Sequence, residues 1–161
     1  MFRTALIPLF VLLLAALPLP LSAETGLPLR VTGPDRTVTL FDLAALDALP
    51  QESFVTGTIW TDGQAQFSGV PLAALLDRTG IAGMADQVEL VALNDYRIEI
   101  PVAEIDPNAP IIATRVDGRA MPVREKGPFW LVYPYDRDSR YRTETTFARS
   151  IWQLTQVNAA R

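Results

Sequence analysis

The chain has 161 residues, a formal net charge of −4, and neither cysteine nor histidine. Without thiol or imidazole, Ser-His-Asp and Cys-His nucleophilic relays lose a member, and the usual zinc, copper and iron sites lose their nitrogen and sulfur ligands. The acidic balance argues against a nucleic-acid partner, whose phosphates call for a basic surface. Carboxylates, Lys126, arginines and tyrosines remain for chemistry, and the carboxylates show no distinctive pairing of the kind that hydrolyses glycosides.

Residues 1–23 open with Arg3, run almost wholly apolar from Ala5 to Leu17, and end on Ser22-Ala23 before acidic Glu24. That order is a secretory signal peptide, shortened by Pro18 and Pro20 below a membrane span. The expectation is a periplasmic product that does not span the membrane after cleavage. Residues 24–161 are then a single domain, long enough to hold one core by packing alone without disulfides.

Leu29–Thr32 and Arg36–Leu40 read as strands around a Gly33-Pro34-Asp35 turn, and Phe41–Leu49 has apolar residues at helical spacing, stopped by Pro50. Ser53–Trp60 reads as a strand before an Asp62-Gly63 turn. Pro71 suits the start of a helix carrying Leu72, Leu75 and Leu76, and Gly80 suits its stop. Val88–Leu93 and Arg97–Ile100 form a predicted hairpin across Asn94-Asp95, with a short helical turn after Pro101. Ile111–Val116 and Arg119–Val123 flank an Asp117-Gly118 turn. Phe129–Tyr133 reads as a buried strand, Asp136–Glu144 as a charged loop, and Phe147–Val157 as the last strand. Many strands with a few short helices make the predicted class α+β.

Three stretches carry a family resemblance: "FSGVPLAALLDRTG" from Phe67, "NDYRIEIP" from Asn94, and "IIATRVDGRAMPVREKGPFWLVYPYDRD" from Ile111. In that order they resemble the molybdopterin-binding domain of the sulfite-oxidase superfamily, which implies that fold, mostly β with a few short helices. In the redox enzymes of the superfamily, a cysteine on the loop after the strand that precedes the "G-V" helix binds molybdenum. Here that region reads Thr58-Ile59-Trp60-Thr61-Asp62-Gly63. The resemblance therefore implies a pterin site without molybdenum and no enzyme of the usual kind.

Thr61-Asp62-Gly63 and Arg149-Ser150-Ile151-Trp152-Gln153-Leu154 are similar to a short secreted subgroup, the periplasmic pterin-binding proteins of the PruR type. Those bind a reduced pterin and control a membrane-bound receptor that makes or degrades cyclic di-GMP. The resemblance implies the same partners here: a pterin as ligand and the periplasmic domain of a signalling protein. Two other readings stay open: a molybdopterin-dependent oxidoreductase or its partner subunit, and an interaction module with a vestigial pocket.

A flat, polar heterocycle needs an aromatic wall and edge-on donors and acceptors. Trp60, at the place of the metal ligand, is the first candidate wall, and Trp152 is either wall or core. Arg149 falls where the larger enzymes carry a basic residue beside the cofactor, and its guanidinium offers forked donors. Asp62, Asp95 and Glu144 could accept ring N–H groups, although Asp62 and Asp95 also sit at turns that favour Asp. Tyr135, Tyr141 and Arg142 belong to the charged loop, and loops carry much binding function. Tyr96 and Trp130 read as packing residues and Lys126 as an exposed turn residue. No catalytic and no metal-ligating residue is assigned.

Overall fold

Alternation decides the first sheet. In β1 (Leu29–Thr32) Leu29 and Val31 turn inward, and β2 (Val38–Phe41) pairs with it antiparallel from Leu29–Phe41 to Thr32–Val38. The computed structural model describes residues 26–160, so the expected signal peptide at residues 1–23 lies outside the described residues. Asp42 caps α1 (Leu43–Asp47) by accepting from the Ala45 N–H at 2.7 Å, which makes this helix shorter than the predicted 41–49. β3 (Glu52–Gly57) then pairs antiparallel with β4 (Gln64–Pro71), which runs straight into α2 (Leu72–Arg78). Gly80, at φ +70°, lets the chain leave α2, with the Ile81 N–H reaching back to the Leu76 carbonyl at 2.9 Å.

β5 (Gln87–Ala92) and β6 (Arg97–Pro101) form the predicted hairpin. β7 (Ile111–Val116), β8 (Arg119–Ala120) and β9 (Trp130–Val132) follow, then α3 (Glu144–Arg149) and β10 (Leu154–Ala160). One sheet has the order β2-β1-β10-β5-β6, with β1 and β10 parallel; the other has the order β3-β4-β7-β8, with β9 also on β7. Leu29, Val88, Leu90 and Leu154 of the first sheet share one apolar cluster with Phe67, Ile112, Trp130 and Leu131 of the second. No helix among the described residues is long and apolar enough to cross a membrane. The architecture is α+β and mostly strand.

Four further expectations are corrected. The predicted strand Ser53–Trp60 ends at Gly57, because the Thr58 and Thr61 hydroxyls close a turn there. Gln64–Pro71, where only Pro71 was placed and that at a helix start, is a central strand; its Gly and Pro are tolerated because β7 covers the backbone there. The predicted strand Phe147–Val157 is divided between α3 and β10. Thr143 caps α3 from the Thr146 N–H at 3.1 Å, a local bond that overrides the β-branched composition. The predicted strand over Arg119–Val123 is likewise cut to its first two residues.

Gly69 sits at the irregularity in the β4–β7 pairing. A Cβ there would overlap the Ile112 carbonyl and lie 2.8 Å from the Ala113 Cα, both backbone atoms that cannot turn aside. Gly69→Ala is expected to lower unfolding free energy in urea by about 2–3 kcal/mol, at the upper end of overpacking costs. A native midpoint would show that β4 and β7 do not approach this closely.

Candidate functional site

The β3–β4 connection presents Trp60. The Thr58 hydroxyl accepts from the Trp60 N–H at 3.0 Å, and Thr61 Oγ1 accepts from the Thr58 N–H at 3.2 Å and donates to the Gly63 carbonyl at 3.1 Å. This threonine-rich turn aims the indole at three other rings, all edge-on: Trp152 at 5.4 Å, Trp130 at 6.0 Å and Phe147 at 6.1 Å. Edge-to-face contacts of this kind add about 0.5–1.5 kcal/mol each beyond burial.

Below this cluster runs a chain of buried hydrogen bonds. The Trp130 indole N–H donates to the Ser150 carbonyl at 3.2 Å. The Ser150 hydroxyl spends its single proton on the Thr146 carbonyl at 2.7 Å, so the Tyr135 phenol is the donor in its contact with Ser150 Oγ. Tyr135 also stacks on Phe147 at 5.3 Å. Burial pushes the Tyr135 phenol up to about 12, against the smaller opposing pull of Ser150. Burial also holds the neighbouring Tyr133 phenol well above the usual tyrosine range.

Trp152 is placed by a left-handed residue. Gln153, at φ +50°, donates its N–H to the Lys126 carbonyl at 2.9 Å, accepts from the Leu93 N–H at 2.9 Å, and sends its side-chain amide to the Val123 carbonyl at 2.6 Å. Tyr96, at the tip of the β5–β6 hairpin, donates its phenol O–H to the Ala148 carbonyl at 3.2 Å and so closes the far side. The result is a cavity of about 390 Å³ lined chiefly by Trp60, Trp152, Phe147, Tyr96, Asn94 and Ser150, with no charged side chain in its lining. A second hollow, of about 550 Å³, lies by the β7–β8 turn and is lined by Asp117, Arg119, Met121 and Glu125 with no aromatic ring. It is larger, but it offers nothing for a flat ring to stack on.

The cavity brings together two of the sequence candidates, Trp60 and Trp152, with Trp152 on the turn before β10 rather than in a strand. Arg149 points elsewhere, into an ion pair with Glu104 at 2.7 Å. Arg142 holds Asp136 at 2.7 Å and the Tyr135 carbonyl at 2.8 Å. Asp136 is gripped in turn by the Gly57 N–H and by Gln64, and these bonds, with Arg142, keep its carboxyl below the usual carboxylate range. Tyr135 lies buried behind Phe147, and Tyr141 donates to Asp106 at 2.7 Å. Asp62, Asp95 and Glu144 are exposed and outside the lining, with Asp95 occupying a left-handed turn position at φ +64°.

Tyr96, expected as packing, instead stands 48% exposed on the cavity wall. Phe147, hidden in a predicted strand, and Asn94, read as a turn residue, complete the wall. The detectable signal was an aromatic directly after the Asn94-Asp95 turn, where a hairpin tip projects its side chains. Lys126, expected exposed, is partly covered: its ammonium lies 5.5 Å from the Trp130 ring centre and 5.2 Å from that of Trp152.

Residues 29–136 match the oxidoreductase molybdopterin binding domain family. Among solved structures, the sulfane dehydrogenase SoxCD from Paracoccus pantotrophus is similar, with TM-score 0.62 at 17% identity over 82% of this chain. This chain spans 37% of that one's length, and the likeness concerns the fold. No curated protein matches the chain. The family match ends before Phe147 and Trp152, so two walls of the cavity come from chain outside it.

The shifted phenol has a consequence at alkaline pH. An unfolded tyrosine ionises near 10, whereas Tyr135 in the fold keeps its proton to about 12. The folded state therefore binds the extra proton in that window. The stabilisation is whole below about pH 10 and is lost as pH rises through 12. Tyr135→Phe is expected to flatten the loss of urea stability between pH 10 and 12. An unchanged slope would assign that loss to other groups.

Proposed function

The chain belongs to the oxidoreductase molybdopterin binding domain family, and from that premise we propose that it binds a pterin as a ligand in the periplasm and thereby regulates a membrane-bound receptor of the cyclic di-GMP type. The observation that carries the ligand is the aromatic cavity. Its volume of about 390 Å³ lies within the range of small-molecule sites, and its uncharged lining suits a neutral flat ring. Trp60 and Trp152 supply stacking faces. The Asn94 carbonyl oxygen accepts the Tyr96 N–H at 3.2 Å, which leaves the amide NH₂ to donate to a ring oxygen or nitrogen.

At the same place molybdenum would lack a thiolate ligand from the protein. The turn that holds Trp60 contains no thiolate, and the chain has no cysteine elsewhere to supply one. Among the described residues no three His, Cys, Asp or Glu side chains gather at metal-ligating distance. The signalling part rests on the resemblance to the PruR-type proteins and on a physical requirement: the ligand must bind differently in the two states of the receptor complex.

Titration calorimetry of the purified protein against oxidised and reduced pterins tests the ligand. Saturable binding is expected, and Trp60→Ala is expected to weaken it about ten-fold, the worth of one stacked ring. Absence of heat and of tryptophan quenching with every pterin would overturn the reading. The family description favours a second reading, an oxidoreductase-related module with molybdopterin or with a larger enzyme as partner. Stoichiometric molybdenum in protein from its native host would select that reading, and metal-free protein that still carries a pterin would select the first.

A further inference from the structure

Lys126 is the only lysine in the chain. Its ammonium lies over the Trp130 and Trp152 rings at 5.5 and 5.2 Å, and Trp152 is also a wall of the cavity. Among the described residues the ion pairs are all made by arginines: Arg97, Arg115, Arg137, Arg140, Arg142 and Arg149 each hold a carboxylate. Lys126 takes part in none of them. Near an uncharged cavity, on a chain of net charge −4, it is a positive group that no carboxylate pairs among the described residues.

We propose that Lys126 selects the ligand by its charge: the cavity takes flat rings that carry an anionic substituent, a carboxylate or phosphate, and the ammonium receives that anion beside Trp152. This rests on the reading of the cavity as a pterin-ring site and adds a specificity to it. An anion arriving at Arg149 or Arg142 must first displace Glu104 or Asp136. At Lys126 no carboxylate of the described residues has to be displaced. The two indoles hold the lysine stem and head in place, so little side-chain freedom is lost when the anion binds. The half-exposed position of Trp152, 37% accessible, leaves the approach open at the cavity mouth.

The test compares pterin-6-carboxylate with 6-hydroxymethylpterin, which share the ring and differ in charge, by calorimetry on the full mature protein. At low salt the carboxylate is expected to bind at least about ten-fold more tightly, the lower end of the scale for one hydrogen bond to a charged group. That preference is expected to shrink at about 0.5 M salt, where exposed charges are screened. Lys126→Met should bring the ratio to about one, and Lys126→Arg should keep it. A preference near one in the native protein, or one that survives Lys126→Met, overturns the role of Lys126 while leaving the ring site standing. If neither probe binds, the ring site itself falls and this proposal with it. Should Lys126→Met fail to fold, the salt series on the native protein decides: a preference independent of salt overturns the proposal.

Discussion

A buried indole must give its N–H to an acceptor, and Trp130 gives it to the carbonyl of Ser150. That bond ties β9, deep in the second sheet, to the residue that ends α3. Ser150 in turn holds Tyr135 and Thr146, so one short segment satisfies three buried polar groups. Trp60, Phe147 and Trp152 all pack around this joint. Were the Trp130 N–H left without its acceptor, the desolvation penalty would stand at about 1–3 kcal/mol, and the end of α3 would lose its anchor. The cavity is thus a by-product of how the core disposes of its polar atoms.

The arginines follow a different logic. Two of them pair with carboxylates on distant segments, Arg149 with Glu104 and Arg115 with Asp47, and Arg142 holds the nearby Asp136. Each such pair is worth little by itself when exposed. No charged side chain lines the cavity, whose wall is built of rings and one asparagine amide, while Lys126 lies over the Trp130 and Trp152 rings.

Much of the fold was legible because its signals are local. Pro71 before a helix, Gly80 after it and Asp117-Gly118 between strands each act within a few residues, and each turn or helix end stands where they put it. β4 was illegible because its Gly69 and Pro71 weaken a strand in isolation; only the backbone of β7 makes sense of them. α3 was illegible because its cap is one side-chain bond from Thr143, weighed against the β-branched and aromatic residues that follow. Trp60 and Trp152 could be nominated for the wall from sequence, whereas Phe147 and Tyr96 could not, since their elements had been misread or read as packing.

The amino-acid sequence alone determined what chemistry is absent: with no thiol and no imidazole, the usual metal ligands and nucleophilic relays are gone whatever the fold. It also determined the class of architecture, because periodicity and turn residues act over short distances. Only the tertiary structure decided which rings meet and which cations are spoken for. Trp60, Tyr96 and Trp152 come from three separate connections, and Glu104 is 45 residues from Arg149. Such choices depend on where packing brings the chain back upon itself, and nothing within a window of neighbouring residues encodes that.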